Sequence, residues 1–325
     1  MEERKSRRVA ILGWALIILV PLLFLFVIAE FVLRLIPPDP SILLGIIATT
    51  DDARGYALKP NSQALSRGLH DPVPEPIFWQ VNEDGIRSDR PIATKGARFR
   101  ILTYGDSETF GWSVQLEDTW QRRMETIDDR IEVLNLGVPG YNAENVADHM
   151  ELTAPELDPD LIIYLLHKND FYEPLSVSPT LSRSEIYVHL RMGIYALGAE
   201  RRHAWRNTPE GYRFVATQIR KMLELSMRID VPFIIAFRHW EYHGVLDSNF
   251  WGDDTFERAA ALARSPGYGA EVVNIEPVVG DFPRRDHHLT EAPNLALADY
   301  LCEVLSGFPD NDCYWSGWLA GQRTE

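Results

Sequence analysis

The chain has 325 residues, of which 46% are hydrophobic and 24% charged, with a formal net charge of −15. That length and balance support a folded core in one large domain or two small ones, plus appendages, and the charge argues against a nucleic-acid binder, which needs clustered Lys and Arg facing phosphates. The basic residues Arg4, Lys5, Arg7 and Arg8 gather at the N-terminus against only Glu2 and Glu3, so the remainder is more acidic still and ill-suited to a flat dock on anionic lipid.

Val9 to Ala29 is a run of 21 residues without a charge. As a helix rising ~1.5 Å per residue it spans the roughly 30 Å hydrocarbon core of a bilayer. Pro21 is tolerated in such a helix, and Glu30 and Arg34 follow at headgroup depth. Basic residues before the span put the N-terminus in the cytoplasm and everything after about residue 36 outside. The expectation is a single-pass protein of the cell membrane with a periplasmic or extracellular domain. A cleaved signal peptide is the alternative, since Val27-Ile28-Ala29 offers a small-residue cleavage site, but the apolar run exceeds the usual length of about 7–15 residues.

Residues 1–36 are therefore read as tail and transmembrane anchor, 37–97 as an irregular lead-in packing on the domain, and 98–325 as the main domain. Pro37, Pro38 and Pro40 end the helix. Ser41 to Ala48 is too short to span, and either lies on the membrane surface or packs on the domain. Thr49 to Ala97 is rich in Pro, Gly, Asn and Asp, which predicts extended segments and turns, one of them at Asn82–Gly85.

After Arg98 short apolar runs alternate with helical stretches. Arg100–Tyr104, Glu132–Leu136, Leu161–Leu166, Pro232–Phe237 and Glu271–Ile275 read as five buried strands. Helices are expected near Leu116–Ile127, Asn142–Leu152, Gly211–Ile229 and Thr255–Arg264, and a last one over Glu291–Leu305 with Thr290 as its N-cap. Continuous apolar strands alternating with helices predict an α/β fold, a three-layer α/β/α sandwich around a five-stranded parallel sheet. Functional residues then collect at the carboxyl ends of the strands. Cys302 and Cys313 are too few and too widely spaced for a zinc knuckle; a disulfide and two separate thiols both remain open.

The first strand runs into Gly105-Asp106-Ser107-Glu108-Thr109-Phe110-Gly111. This puts a serine at a strand's carboxyl end on a glycine-bracketed turn. A serine hydroxyl needs a neighbouring base to become a nucleophile, and small residues around it let a carbonyl approach backbone N–H donors. Asn135-Leu136-Gly137-Val138-Pro139-Gly140 follows the second strand, His167-Lys168-Asn169-Asp170 the third, and Asp286-His287-His288-Leu289-Thr290 precedes the last helix. A nucleophile, a glycine turn, an Asn and an Asp/His loop thus fall in order at strand ends or on the loop facing them.

These residues resemble the SGNH (GDSL-type) hydrolase superfamily, whose hallmarks are Ser, Gly, Asn and His. GDSETFG matches the first block, GDSxTxG, at every specified position. The resemblance covers roughly residues 98–306 and implies a flavodoxin-like sheet, ester chemistry, Ser107 as nucleophile, and His288 as base. It also implies an oxyanion hole from the Ser107 and Gly140 N–H groups and Asn169. The lead-in sequences GYALKPN and VNEDGIRSD are similar to those of membrane-anchored bacterial members. Two positions depart from the pattern. His167 stands where the third block usually has Gly, and Arg285 stands three before His288, where Asp is usual. Asp286, two before His288, resembles the Asp-x-His spacing of alginate O-acetyltransferase-type relatives and is assigned to orient His288. His287 as base, and a Ser–His dyad without Asp286, are the alternatives.

His239 and His243 have the i, i+4 spacing of a metal pair, but Glu241 is in the wrong place for H-E-x-x-H and the segment follows a strand. They are assigned, with His167, to the substrate pocket, and no metal or cofactor is expected. Asp106 and Asp170 are expected to fix their turns by hydrogen bonds, and Trp112 and Trp120 to pack. No carboxylate pair for glycoside cleavage and no phosphate loop can be picked out. The expected function is a membrane-anchored serine esterase or O-acyltransferase. Its substrate is a small-molecule or glycan ester, with acylated cell-envelope glycans favoured by the outward location. The alternative is a non-catalytic, membrane-tethered binding or scaffold protein on the same fold. Oligomeric state is left open.

Overall fold

The computed structural model describes residues 2–35, 46–50, 52–66, 75–171, 184, 186–187, 209–237, 270–279 and 288–306. Helix α1 is Glu2–Leu35. The lead-in holds strands β1 (Ile47–Thr49), β2 (Tyr56–Leu58), β3 (Ser62–Ser66) and β4 (Ile77–Val81). The main domain follows as β5 (Phe99–Tyr104), α2 (Ser107–Phe110), α3 (Trp120–Ile127), β6 (Ile131–Asn135), α4 (Ala143–Leu157), β7 (Leu161–Leu166), α5 (Pro209–Arg228), β8 (Phe233–Phe237), β9 (Glu271–Asn274), α6 (Glu276–Val279) and α7 (Glu291–Ser306). Single 3₁₀ turns lie at Leu116–Asp118 and Lys168–Phe171.

Strands β5 to β9 form one parallel sheet in the order β6-β5-β7-β8-β9. The first strand of the domain lies inside the sheet with the second on its far side, so the connection direction reverses next to β5. Ligand crevices in open α/β sheets form at such a reversal, beyond the carboxyl ends of the strands.

Alternate residues along each strand point to opposite faces, and both faces are covered. On one side Leu102, Tyr104, Ile162 and Tyr164 join Val146 and Met150 of α4 and Ile219 and Met222 of α5. On the other, Ile101, Ile163 and Leu165 join Trp120 and Met124 of α3 and Leu297 and Leu301 of α7. Every side chain of β7 is 0–1% exposed. This is why its sequence, LIIYLL, is apolar throughout instead of alternating. Each such aliphatic side chain contributes roughly 1.5–3 kcal/mol on burial.

The lead-in is more ordered than expected. Strands β1 and β2 pair antiparallel, as do β3 and β4. Strand β4 closes on the turn at Asn82–Gly85, where the Gly85 N–H donates to the Asn82 carbonyl at 3.2 Å. Strands β3 and β4 both show alternating burial, and Ile46, Tyr56 and Trp79 sit in the same cluster as α4 and α5. Short half-buried strands supply too brief an alternation to read from sequence. Ile46, inside the expected apolar run Ser41–Ala48, packs on the domain with no exposed surface.

The apolar run at the N-terminus is helical from Glu2 to Leu35. Among the described residues no helix is long and apolar enough to cross a membrane. Ile17 to Val27 are exposed on α1, and Glu30 accepts hydrogen bonds from Ser184 Oγ at 2.9 Å and the Ile186 N–H at 3.2 Å. The helix expected at Thr255–Arg264 lies outside the described residues.

Candidate active site

Ser107 is the first residue of α2, directly beyond the carboxyl end of β5. Asp106 is the N-cap, its carboxylate accepting from the Glu108 N–H at 2.9 Å. The Phe110 N–H closes the turn on the Asp106 carbonyl at 2.9 Å, and the Trp112 N–H reaches the Ser107 carbonyl at 3.0 Å. The serine is thus held on a single short helical turn whose backbone is bonded at both ends.

Three other parts of the chain fix that turn. Arg87, from the lead-in, is 2% exposed. It donates to the Phe110 carbonyl at 2.7 Å, the Val114 carbonyl at 2.6 Å and the Gly111 carbonyl, with its guanidinium 4.7 Å above the Phe110 ring. It thereby satisfies carbonyls left open at the end of α2. Burial pushes its guanidinium down to about 9, which leaves it protonated at neutral pH. From α3, Gln121 Nε2 donates to the Thr109 carbonyl at 2.8 Å. From the loop after β6, the Val138 N–H donates to the Gly105 carbonyl at 3.1 Å. A side chain at Gly137 would meet the Phe110 nitrogen at 2.3 Å and the Thr109 carbonyl carbon at 2.7 Å, so only glycine permits this approach. Gly140 follows with φ +82°, a left-handed conformation that glycine adopts without strain.

His288 enters from the loop before α7, with Nε2 2.8 Å from Ser107 Oγ. Its ring stacks on Trp112 with centroids 5.6 Å apart and planes 27° off parallel. Trp112 is backed in turn by Trp79, at 4.1 Å between centroids, whose indole N–H donates to the Trp112 carbonyl at 3.1 Å. The next residue is also tied down. The Leu289 N–H donates to Glu108 Oε2 at 3.0 Å, and Asn294 Nδ2 donates to the Leu289 and Thr290 carbonyls at 3.0 Å each. Asn294 Oδ1 accepts from the Trp120 N–H at 3.2 Å, so the loop is pinned to α3 as well.

His167, expected in the pocket lining, is 2% exposed. Its Nδ1 is 3.1 Å from Asp106 Oδ2 and its Nε2 is 3.9 Å from Glu108 Oε1. The imidazole thus lies between two buried carboxyl groups of the nucleophile turn. Burial alone would raise Asp106, but the charge and hydrogen bond of His167, the Glu108 N–H and the charge of His288 together hold it below the ordinary carboxylate value. Asp170 behaves oppositely. Its Oδ2 accepts from the His167 N–H at 2.6 Å, while burial and the charge of Asp106 push it well above the usual range. Both aspartates thus make the turn-fixing hydrogen bonds expected of them.

Asn169 lies in the 3₁₀ turn after β7; its side chain lies outside the described residues. So do Asp286, His287, His239 and His243. Arg87, Glu108 and Asn294 were not singled out from sequence. Glu108 occupies the unspecified position of GDSxTxG, and Asn294 lies one turn beyond Thr290.

No protein-family model matches the chain, and no curated protein matches it. Solved structures similar to it include a protein assigned to the G-D-S-L lipolytic family from Desulfitobacterium hafniense, at 16% identity and a TM-score of 0.46 over 64% of this chain and 100% of that one. The esterase EstA from Pseudoalteromonas sp. is similar at 12% identity and 0.45, covering 66% and 100%. AlinE4, described as an SGNH-hydrolase family esterase, is similar at 17% and 0.39, covering 66% and 100%. At these identities and TM-scores the site is read from its own geometry.

Proposed function

We propose that this chain is a serine ester hydrolase working through an acyl-enzyme. The observation that carries the reading is the 2.8 Å contact between His288 Nε2 and Ser107 Oγ at the carboxyl end of β5. A base within hydrogen-bond reach of a hydroxyl is the defining requirement for activating it.

Ser107 donates its Oγ proton to His288 Nε2 as the oxygen attacks the ester carbonyl. The Ser107 and Gly140 N–H groups and Asn169 receive the oxyanion. Collapse breaks the ester bond, and the imidazolium returns its proton to the departing alkoxide. Water, delivered through the same base, then cleaves the acyl-enzyme and regenerates Ser107. Asp286 is assigned to orient His288 and stabilise its charged form.

Two finer statements belong to the same proposal. The uncharged run Val9–Ala29 and the basic residues before it support a single N-in membrane anchor with the domain outside the cytoplasm. In that location acylated envelope glycans are the favoured esters, and a sugar hydroxyl replacing water would make the enzyme an O-acyltransferase.

The deciding experiment is reaction of the detergent-solubilised full chain with a fluorophosphonate probe, followed by mapping of the labelled residue. Labelling at Ser107, lost in Ser107→Ala together with hydrolysis of a short-chain nitrophenyl ester, is the expected result. No labelling, with a native circular dichroism spectrum, would overturn the enzyme reading in favour of a binding protein.

A further inference from the structure

The nucleophile turn and the base loop touch at two consecutive positions. Ser107 meets the His288 ring, and Glu108 meets the backbone of Leu289 at 3.0 Å. Glu108 is 1% exposed, and carboxyl groups are seldom buried to that degree without a hydrogen-bond partner. Its other oxygen faces His167 Nε2 at 3.9 Å, and His167 in turn bonds Asp106, which caps the turn carrying Ser107. One buried chain of polar groups therefore links the loops that hold nucleophile and base to the end of β7.

We infer that Glu108 is a positioning residue: by accepting the Leu289 N–H it holds the base loop so that His288 stays within hydrogen-bond distance of Ser107. His167 lies between this carboxyl group and that of Asp106, with Nε2 3.9 Å from Glu108 Oε1 and Nδ1 3.1 Å from Asp106 Oδ2. The inference rests on the reading of Ser107 and His288 as nucleophile and base. What it adds is that the acceptor at 108 must sit at glutamate's length, because the donor it meets is backbone and cannot move without carrying His288 along. A misplacement of about 1 Å at a reacting group costs on the order of 10²-fold in rate.

The test separates acceptor position from charge. Glu108→Gln keeps the length and an oxygen acceptor for the Leu289 N–H. Glu108→Asp keeps the charge and withdraws the acceptor by one methylene. Both are assayed as the full chain in detergent, with kcat expressed per fluorophosphonate-reactive site so that loss of folded protein does not count. Glu108→Asp should lose roughly 10- to 100-fold in kcat with KM within about twofold of the parent, and Glu108→Gln should stay within about fivefold. Parent-like kcat in Glu108→Asp, or a larger loss in Glu108→Gln than in Glu108→Asp, would overturn the inference while leaving the enzyme reading intact. A parent chain that neither labels nor hydrolyses ester would reject the enzyme reading instead.

Discussion

His288 reaches Ser107 across 181 residues of chain to place Nε2 2.8 Å from Oγ. Neither residue could be held there by local structure. Ser107 is fixed by the end of β5, and His288 is fixed by its contact with Trp112 and by the bonds that Glu108 and Asn294 make to the backbone just after it. The catalytic proposal therefore depends on the packing of α7 against α3, because Asn294 joins the base loop to the start of α3.

The proposed roles around His288 make a graded prediction. His288→Ala should lower kcat by several orders of magnitude, because no acceptor for the Ser107 proton remains. Asp286→Asn should cost less but still substantially, since it keeps shape while removing the charge that favours imidazolium. His287→Ala should be mild. Ester turnover of the three variants decides the assignment; a severe loss in His287→Ala with near-normal His288→Ala would move the base by one residue.

Arg87 gives a second prediction. Arg87→Met retains much of the stem but leaves the carbonyls of Phe110, Gly111 and Val114 without the donor they share. Hydrogen bonds to a charged group contribute about 1.5–3 kcal/mol each, but the Phe110 carbonyl keeps Asn135 Nδ2 at 3.3 Å and the Gly111 carbonyl keeps the Val114 N–H at 3.3 Å, so only part of that sum is lost. A destabilisation of about 3 kcal/mol is expected, with a kcat decrease from loosening of α2. Urea unfolding of the variant checks the first number, and a midpoint equal to the parent would mean that water replaces the guanidinium without cost.

The anchor proposal predicts orientation. Alkaline phosphatase fused after residue 60 should be exported and active, because the positive charges lie before the apolar run. An inactive fusion retained in the cytoplasm would reject the orientation, whatever the domain proves to catalyse.

Legibility from sequence followed how local each determinant is. The sequence of Leu161–Leu166 marks the strand at its observed limits, since burial on both faces leaves an unbroken apolar run. Of the lead-in strands, β2 to β4 are legible in sequence only as extended segments and β1 only as the end of an apolar run, because strands of three to five residues show too little alternation to reveal their partners. The blocks at 105–111, 135–140 and 167–170 were recognisable as strand-end loops. What joins them was not, since Glu108 bonds a residue 181 positions away and Asn294 one 174 away. His167 illustrates the limit most directly. A histidine in a loop beside a catalytic candidate reads as pocket lining, and its contacts with Asp106 and Glu108, about sixty residues earlier in the chain, are visible only in the fold.

Asp170 gives a stability prediction whose sign follows from its environment. Burial, then the charge of Asp106, push its carboxyl well above 3.8, its ordinary value. The folded chain therefore holds a proton on Asp170 that the unfolded chain has released, across the interval between the ordinary and the raised value. Where the folded state binds more protons, stability falls as pH rises. The contribution is fully present below the ordinary value and is lost as pH climbs toward the raised one. Asp106 works in the opposite sense, its lowered value adding stability that disappears only when strong acid protonates it. Asp170→Asn keeps an oxygen to accept the His167 N–H, now 2.6 Å from Asp170 Oδ2, and has no proton to lose. The variant should match the parent near pH 4 and have the higher Tm at pH 7. Thermal unfolding of both proteins across that range measures the difference directly. A gap that stays constant with pH would mean that Asp170 is ionised in the folded chain, and that the negative charge beside Asp106 is balanced from elsewhere.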